Sequence, residues 1–345
     1  MSVLWVILAA FALTIPLVQA ARLVALRYGV VDNPRPSRVS RAPRPYLGGV
    51  AIMTAATLVC AFTWAISGEF NATTVAILLA VVVSGIIGLS DDLRHHTATP
   101  KLIAEFLVAG VVVMLGGTIA ITVTPVVDAL ISLVVIVFLM NSFNLLDNSD
   151  GALSSVAAIT GFGIAGVAVV LGQNPQGFLA AAVGGACLAF LLFNWHPATI
   201  FMGDAGSLFV GCALVCSLAL IKGTDTPRSI PVALGLMIVP IVDTTLVFIT
   251  RRREGRSFMA GGVDHLHHRL SRTTLGTRGG AAAIASVAAT GSLTAIAVAE
   301  GWLAWTPAVF LISCIGLALL VVGLRLPSRA TSAVREQVTP TSVAE

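Results

Sequence analysis

Five aspartates stand at the edges of long apolar runs, where isolated charge is costly. Asp91 and Asp92 close the stretch Gly88-Leu89-Ser90-Asp91-Asp92, with Lys101 ten residues on. Adjacent carboxylates repel and need a cation or a proton near them; a charge pair at the start of a loop is the plainer alternative. Further on, Asn141, Asn144, Asp147 and Asn148 share one side of a helix at 100° per residue, and Asp150 lies one turn past Asp147. A cap uses one or two such groups, so this many point to a ligand. A third cluster runs from Asn194 and His196-Pro197 to Phe201-Met202-Gly203-Asp204-Ala205-Gly206-Ser207. Glycines flanking Asp204 just before a helix let backbone approach a phosphate and leave the carboxylate for a metal, while a simple N-terminal cap would use the same residues. Mg2+ suits such a place, since it takes one or two carboxylates plus phosphate oxygens and water. The fourth cluster, Asp264-His265-Leu266-His267-His268-Arg269, puts three histidines in four residues. Zinc would need a further ligand that the neighbourhood lacks, so donors to phosphate or sugar oxygens fit better beside these arginines.

The elements that must position these groups are membrane spans. Of 345 residues, 57% are hydrophobic and 10% charged, and the mean hydropathy is +0.96. That excludes a soluble enzyme, a nucleic-acid-binding module and a disulfide scaffold. The net charge of +4 reads as topology. Apolar windows predict eleven transmembrane helices, near 3–25, 47–66, 72–90, 102–121, 129–146, 152–171, 177–193, 207–222, 230–250, 280–299 and 302–324. A β-barrel would alternate in shorter segments. Val18-Gln19-Ala20 resembles a signal-peptide cleavage site, but no basic residue precedes the first apolar run, which reads as a span.

With the N-terminus outside, all of the 20 Lys and Arg residues except Lys222 and Arg228 fall in inner loops, at inner helix edges or in the tail. The positive-inside rule then gives an outside N-terminus and a cytoplasmic C-terminus. Part of the run Arg251, Arg252, Arg253 serves as that anchoring. The six histidines and the five aspartates fall on the same inner side, whereas outer loops hold only scattered Glu69, Asp128, Asp225 and Glu300. A transporter would place ionisable groups near mid-membrane. Acids gathered at one face favour an enzyme acting on a cytosolic substrate at the membrane surface. Cys60, Cys187, Cys212, Cys216 and Cys314 lie in apolar runs and read as packing groups. Residues 1–325 form one integral-membrane catalytic domain in this reading, and 326–345 a short disordered tail.

In this order the motifs resemble those of the polyprenyl-phosphate N-acetylhexosamine-1-phosphate transferase family of bacterial membranes. The resemblance covers about 32–270: Asp32-x-Pro34 with Gly48-Gly49, Asp91-Asp92 with Lys101, Asn141-x-x-Asn144-x-x-Asp147-x-x-Asp150-Gly151, Asn194-x-x-Pro197-Ala198 through Ser207, and His265-x-His267-His268. The last string looks like the hexosamine branch; the muramyl-pentapeptide transferase of peptidoglycan synthesis typically has three consecutive histidines there. The family's usual Arg-Lys-x-His reads Ser37-Arg38-Val39-Ser40 here, which leaves Arg38 as its cation, and Asn148 and Ala152 replace the usual glycine and leucine.

The resemblance implies an all-α polytopic fold in the bacterial cytoplasmic membrane with its active site facing the cytoplasm. It implies transfer of an N-acetylhexosamine-1-phosphate, GlcNAc-1-phosphate first, from a UDP-sugar to undecaprenyl or decaprenyl phosphate, with release of UMP. The cofactor is Mg2+, with Mn2+ able to replace it. Asp204 and Asp92 are the implied metal ligands, and Asp91, Asp92, Asp147 and Asp150 the catalytic carboxylates. Asn141, Asn144, Lys101, Arg38, Asn194, His265, His267, His268 and Arg269 are the implied substrate contacts. The bilayer is the other partner, nucleic acid is not, and a homodimer is compatible with this reading. The alternatives are the pentapeptide transferase and a non-catalytic or transporting paralogue.

Overall fold

A computed structural model describes residues 2–32, 44–94, 96–122, 124–222, 226–258 and 262–327. The first three helices are α1 (Val3–Tyr28), α2 (Gly48–Ser67) and α3 (Ala72–Arg94). Between α1 and α2 an antiparallel pair of two-residue strands, β1 (Val31–Asp32) and β2 (Arg44–Pro45), sets Asp32 opposite Arg44. Next come α4 (Ala98–Met114), α5 (Pro125–Leu146), α6 (Ala152–Val170), α7 (Asn174–Asn194) and α8 (Gly203–Leu220). The chain continues through α9 (Thr226–Leu236), α10 (Ile238–Arg253), α11 (Leu266–Ser271), α12 (Gly276–Ala299) and α13 (Trp305–Arg325). Long apolar helices satisfy their own backbone groups, which hydrocarbon demands.

Each of the eleven expected windows holds a helix, but among the described residues nine are long and apolar enough to cross a membrane, or ten if the bent pair α9–α10 is one span. The chain is thus a polytopic all-helical membrane protein, and two windows need correction. The window 102–121 contains a helix that begins earlier and has ended at Met114; Gly116, at φ +89°, takes the turn that follows. The window 230–250 is two helices meeting at 71°. Pro240 explains the break: it has no N–H for the carbonyl of Leu236, the last residue of α9, and its ring crowds that carbonyl. The Thr160 hydroxyl donates to the freed Leu236 oxygen at 3.4 Å.

The hub is α8, whose apolar window is 83% buried, with α2, α3, α5 and α7 packed around it. Peripheral α13 has only 17% of its window buried. The N-terminus of α8 meets the C-terminal ends of α3 and α5 at one face of the bundle. Residues 33–43, with Arg38 and its neighbours Arg35 and Arg41, and the tail beyond 327 lie outside the described residues.

Candidate active site

Asp91 and Asp92 are neighbours in the last turn of α3 and face different partners. The two Asp92 oxygens accept the backbone N–H groups of Asp204 and Ala205 at 2.9 and 3.0 Å. A carboxylate there satisfies two orphan donors and complements the positive end of the α8 dipole. This fit needs Gly203, at φ +74°, because a Cβ would stand 2.7 Å from Asp92 Oδ2. Gly88, one turn before Asp92, admits α8 to α3: a Cβ there would lie 2.1 Å from the Asp204 carbonyl oxygen.

Asp91 looks outward. Its Oδ1 accepts His96 N–H at 2.8 Å and its Oδ2 accepts Lys101 Nζ at 3.0 Å. The same ammonium donates to Asp204 Oδ2 at 2.5 Å. Asn144 Nδ2 donates to Asp204 Oδ1 at 3.1 Å and to Ser207 Oγ at 2.7 Å. Four elements thus converge on Asp204, whose side chain is 35% exposed against 17% for Asp91 and 15% for Lys101. Three carboxylates against one ammonium leave net negative charge, and the ammonium already sits where a cation is attracted. Asp92, the other expected metal ligand, spends both oxygens on the α8 backbone, so the hard oxygen donors that fit Mg2+ chemistry here are those of Asp204 and Asp91, and Mg2+ asks the protein for only one or two carboxylates. Among the described residues no group of three or more His, Cys, Asp or Glu is placed to hold a metal ion.

Asn141, one turn before Asn144, donates to Glu105 Oε2 and to Val137 O. Glu105 is 1% exposed and escapes a reading of the sequence, since one acid inside an apolar window barely changes it. Its signal was there in the spacing: it sits four residues after Lys101, on the same face of α4.

A second cluster forms where α5 turns into α6. Asp147 occupies the C-cap of α5. Asp150 accepts Arg44 Nη1 at 3.3 Å, the Ala198 N–H at 3.0 Å and, across 2.8 Å, the Nδ1 of His196. Arg44 comes from β2, which the loop 195–202 holds in place: Phe201 N–H donates to Pro45 O at 2.8 Å, and Gly48 and Gly49 N–H donate to Phe201 O and Met202 O. Gly49 is required for this clasp, because a Cβ would come within 2.1 Å of Gly206 N. Asn194, expected to touch substrate, is 3% exposed. Its Oδ1 takes Gly151 N–H and Ser154 Oγ, and its Nδ2 donates to Ile200 O, so its amide braces the loop.

The histidine segment packs beside this cluster, with Arg278 of α12 donating to His196 O at 2.8 Å and His267 in the field of Asp150 and His196. His265 Nδ1 lies 2.8 Å from Oδ2 of Asp243, a fully buried residue of α10. His267 Nε2 donates to Thr277 O at 3.1 Å. The Nδ1 atoms of His267 and His268 are buried without a partner. Burial holds His267 below the usual imidazole range, and burial with the nearby His265 and His267 pushes His268 down to about 3. Burial works against the Asp264 carboxylate, yet Arg256 and then Arg251 hold it below its usual range. Arg269, expected at the substrate, spends its guanidinium inside the protein, on Asp264 O, Gly323 O, Leu326 O and Thr250 Oγ1.

Residues 74–222, which carry the Asp91–Lys101–Asp204 cluster, match the family model described as glycosyl transferase family 4. A Streptomyces coelicolor protein named for glycosyltransferase activity is 35% identical over 274 residues, covering 79% of this chain and 64% of that one. The chain therefore spans less than two thirds of that relative's length. The decaprenyl-phosphate N-acetylglucosaminephosphotransferase of Mycolicibacterium smegmatis is 30% identical over 287 residues, 72% of this chain and 70% of its own. The phospho-N-acetylmuramoyl-pentapeptide-transferase of Moorella thermoacetica is 32% identical over 265 residues, 69% and 78% respectively.

Proposed function

This chain belongs to glycosyl transferase family 4, the polyprenyl-phosphate sugar-1-phosphate transferases, and from that premise we propose that it transfers GlcNAc-1-phosphate from UDP-GlcNAc to a polyprenyl phosphate, releasing UMP. The observation that carries the reading is Asp204, the most open carboxylate of the cluster, at the start of α8 and ringed by Lys101 and Asn144.

One phosphate anion must attack another, so charge control is the main task. A lipid phosphate has a second pKa near 6, as phosphate monoesters do, and is largely a dianion at pH 7 without a dedicated base. In our reading the Lys101 ammonium, already between Asp91 and Asp204, turns to the incoming phosphoryl oxygens and offsets their repulsion. Asp91 orients Lys101, and Asp92 holds α8 so that Asp204 faces the reacting phosphates. Asp204, with Asp91 beside it, would hold Mg2+, which supplies neutralisation of the diphosphate and of departing UMP; Mn2+ serves as a substitute. Asn144 and Asn141 line the same face. Arg44, His196 and Asp150, with Asp147 before them, form the wall towards the nucleotide; His265 and His268 bind the donor, while His267, fully buried with its Nε2 on Thr277 O, braces the segment. Arg38, outside the described residues, supplies a further cation for the lipid phosphate or the donor in this reading.

We place this face in the cytoplasm and the N-terminus outside, in a bacterial cytoplasmic membrane. The test is UMP release by purified protein given polyprenyl phosphate, Mg2+ and a panel of UDP-sugars that includes UDP-MurNAc-pentapeptide, with EDTA as control. UDP-GlcNAc should be turned over and EDTA should abolish it. Asp204→Asn should lose roughly 10²–10³-fold in rate, the scale of one preorganised electrostatic group, while still binding UDP-sugar. Full turnover by that variant, or by EDTA-treated protein, removes the metal assignment. Turnover of the pentapeptide donor alone moves the protein to the other branch.

A further inference from the structure

Asp243 lies in the second turn of α10, just past the 71° bend, with no exposure to solvent. Both its oxygens point at the start of α11: Oδ1 accepts Leu266 N–H at 2.7 Å, and Oδ2 lies 2.8 Å from His265 Nδ1. His265 is the N-cap residue of α11 but makes no side-chain cap of its own. One carboxylate from a different helix thus supplies the missing cap and grips the ring that a cap residue would otherwise leave free. A carboxylate offers only acceptor oxygens, so Nδ1 of His265 is the donor in its contact with Asp243. A ring nitrogen that donates to a carboxylate leaves the other nitrogen to meet the ligand.

We propose that Asp243 is a positioning residue of the transfer reaction: it locks the largely buried ring of His265, 3% exposed, with its proton on Nδ1, so that Nε2 is the ring nitrogen left for the sugar-nucleotide donor. The inference rests on the reading above that the histidine segment binds that donor. Bending α10 away from α9 is what brings the carboxylate beneath α11, so the break at Pro240 has a use in the site. A straight span would carry the second turn of α10 along the axis of α9.

The isosteric change Asp243→Asn tests it. The Asn carbonyl oxygen can still accept Leu266 N–H, but its amide then faces Nδ1 as a donor and forces the proton to Nε2. In full-length protein labelled with 15N-histidine, with His265→Gln identifying the signal, Asp243→Asn should switch the His265 pattern from Nδ1–H to Nε2–H. The same variant should raise the KM for UDP-GlcNAc at least tenfold, with the KM for polyprenyl phosphate within twofold of the parent. An unmoved tautomer, or a shifted tautomer with an unmoved donor KM, overturns the proposal. A merely structural role would instead lower both substrates' binding together with the folded fraction, and that outcome also counts against it. The tautomer is read without turnover, so a parent protein that releases no UMP defeats the functional reading, and its donor arm, visibly apart from the spectroscopic result.

Discussion

Lys101 places its ammonium 3.0 Å from Asp91 and 2.5 Å from Asp204, a positive charge that offsets the repulsion between those two carboxylates. Lys101→Met should therefore cost about 10²–10³-fold in turnover, and Lys101→Arg should not restore it, because a planar fork cannot replace a compact ammonium. UMP release normalised to the monodisperse fraction checks both. His268 offers a pH prediction. Its folded-state value of about 3 lies below the unfolded value near 6.5. The unfolded chain therefore takes up a proton that the folded chain refuses between those limits. The His268 contribution is fully present above pH 6.5 and is lost as pH falls from there towards 3. Melting temperatures at pH 7 and pH 4.5 should differ less in His268→Gln than in the parent. At this scale the sequence was informative where charge is costly: Asp91, Asp92, Asp150 and Asp204, at the ends of apolar runs, all reach polar partners at one face. It was less so for Asn194 and Arg269, because residue type shows that a buried amide or guanidinium needs partners, not whether protein or ligand supplies them.

Helices α3 and α8 come closest where Gly88 meets the backbone of Asp204, and Gly85 one turn earlier also lies against α8 at Ala205 and Phe209. Gly88→Ala should push the start of α8 away from α3, lengthen the Asp92 cap and reduce turnover far more than it reduces stability. Gly49→Ala meets Gly206 backbone instead, 2.1 Å away. It should destabilise by about 1–3 kcal/mol, the usual cost of overpacking. Thermal unfolding in detergent alongside UMP release separates the two effects; equal losses in both for Gly88→Ala would remove its special place. The elements were largely legible as apolar runs, with helices in all eleven windows. The bend between α9 and α10 was not, because hydropathy averages over Pro240 while the backbone cannot. Asp243 and Glu105 went unread for the same reason, as single acids diluted by long apolar windows.

Across the whole molecule, charge asymmetry argues an orientation that labelling can check. A cysteine placed at Lys222 should react with an impermeant maleimide from outside intact cells, and one at Arg272 only after lysis; the reverse pattern would invert the bundle. The bundle is also graded from a buried hub, α8, to a peripheral last span, α13. Yet Arg269 fastens the histidine segment to the far end of that span, donating to Gly323 O and Leu326 O, 54 and 57 residues later in the chain. A protein made from its N-terminus onward inserts the aspartate cluster early, whereas Arg269 has only Thr250 and Asp264 to hold until α13 leaves the ribosome and brings Gly323 O and Leu326 O. The emerging chain thus assembles its aspartate cluster before the histidine segment is fully tied down, and on the proposed reading its phosphate side is in place before its donor side is complete.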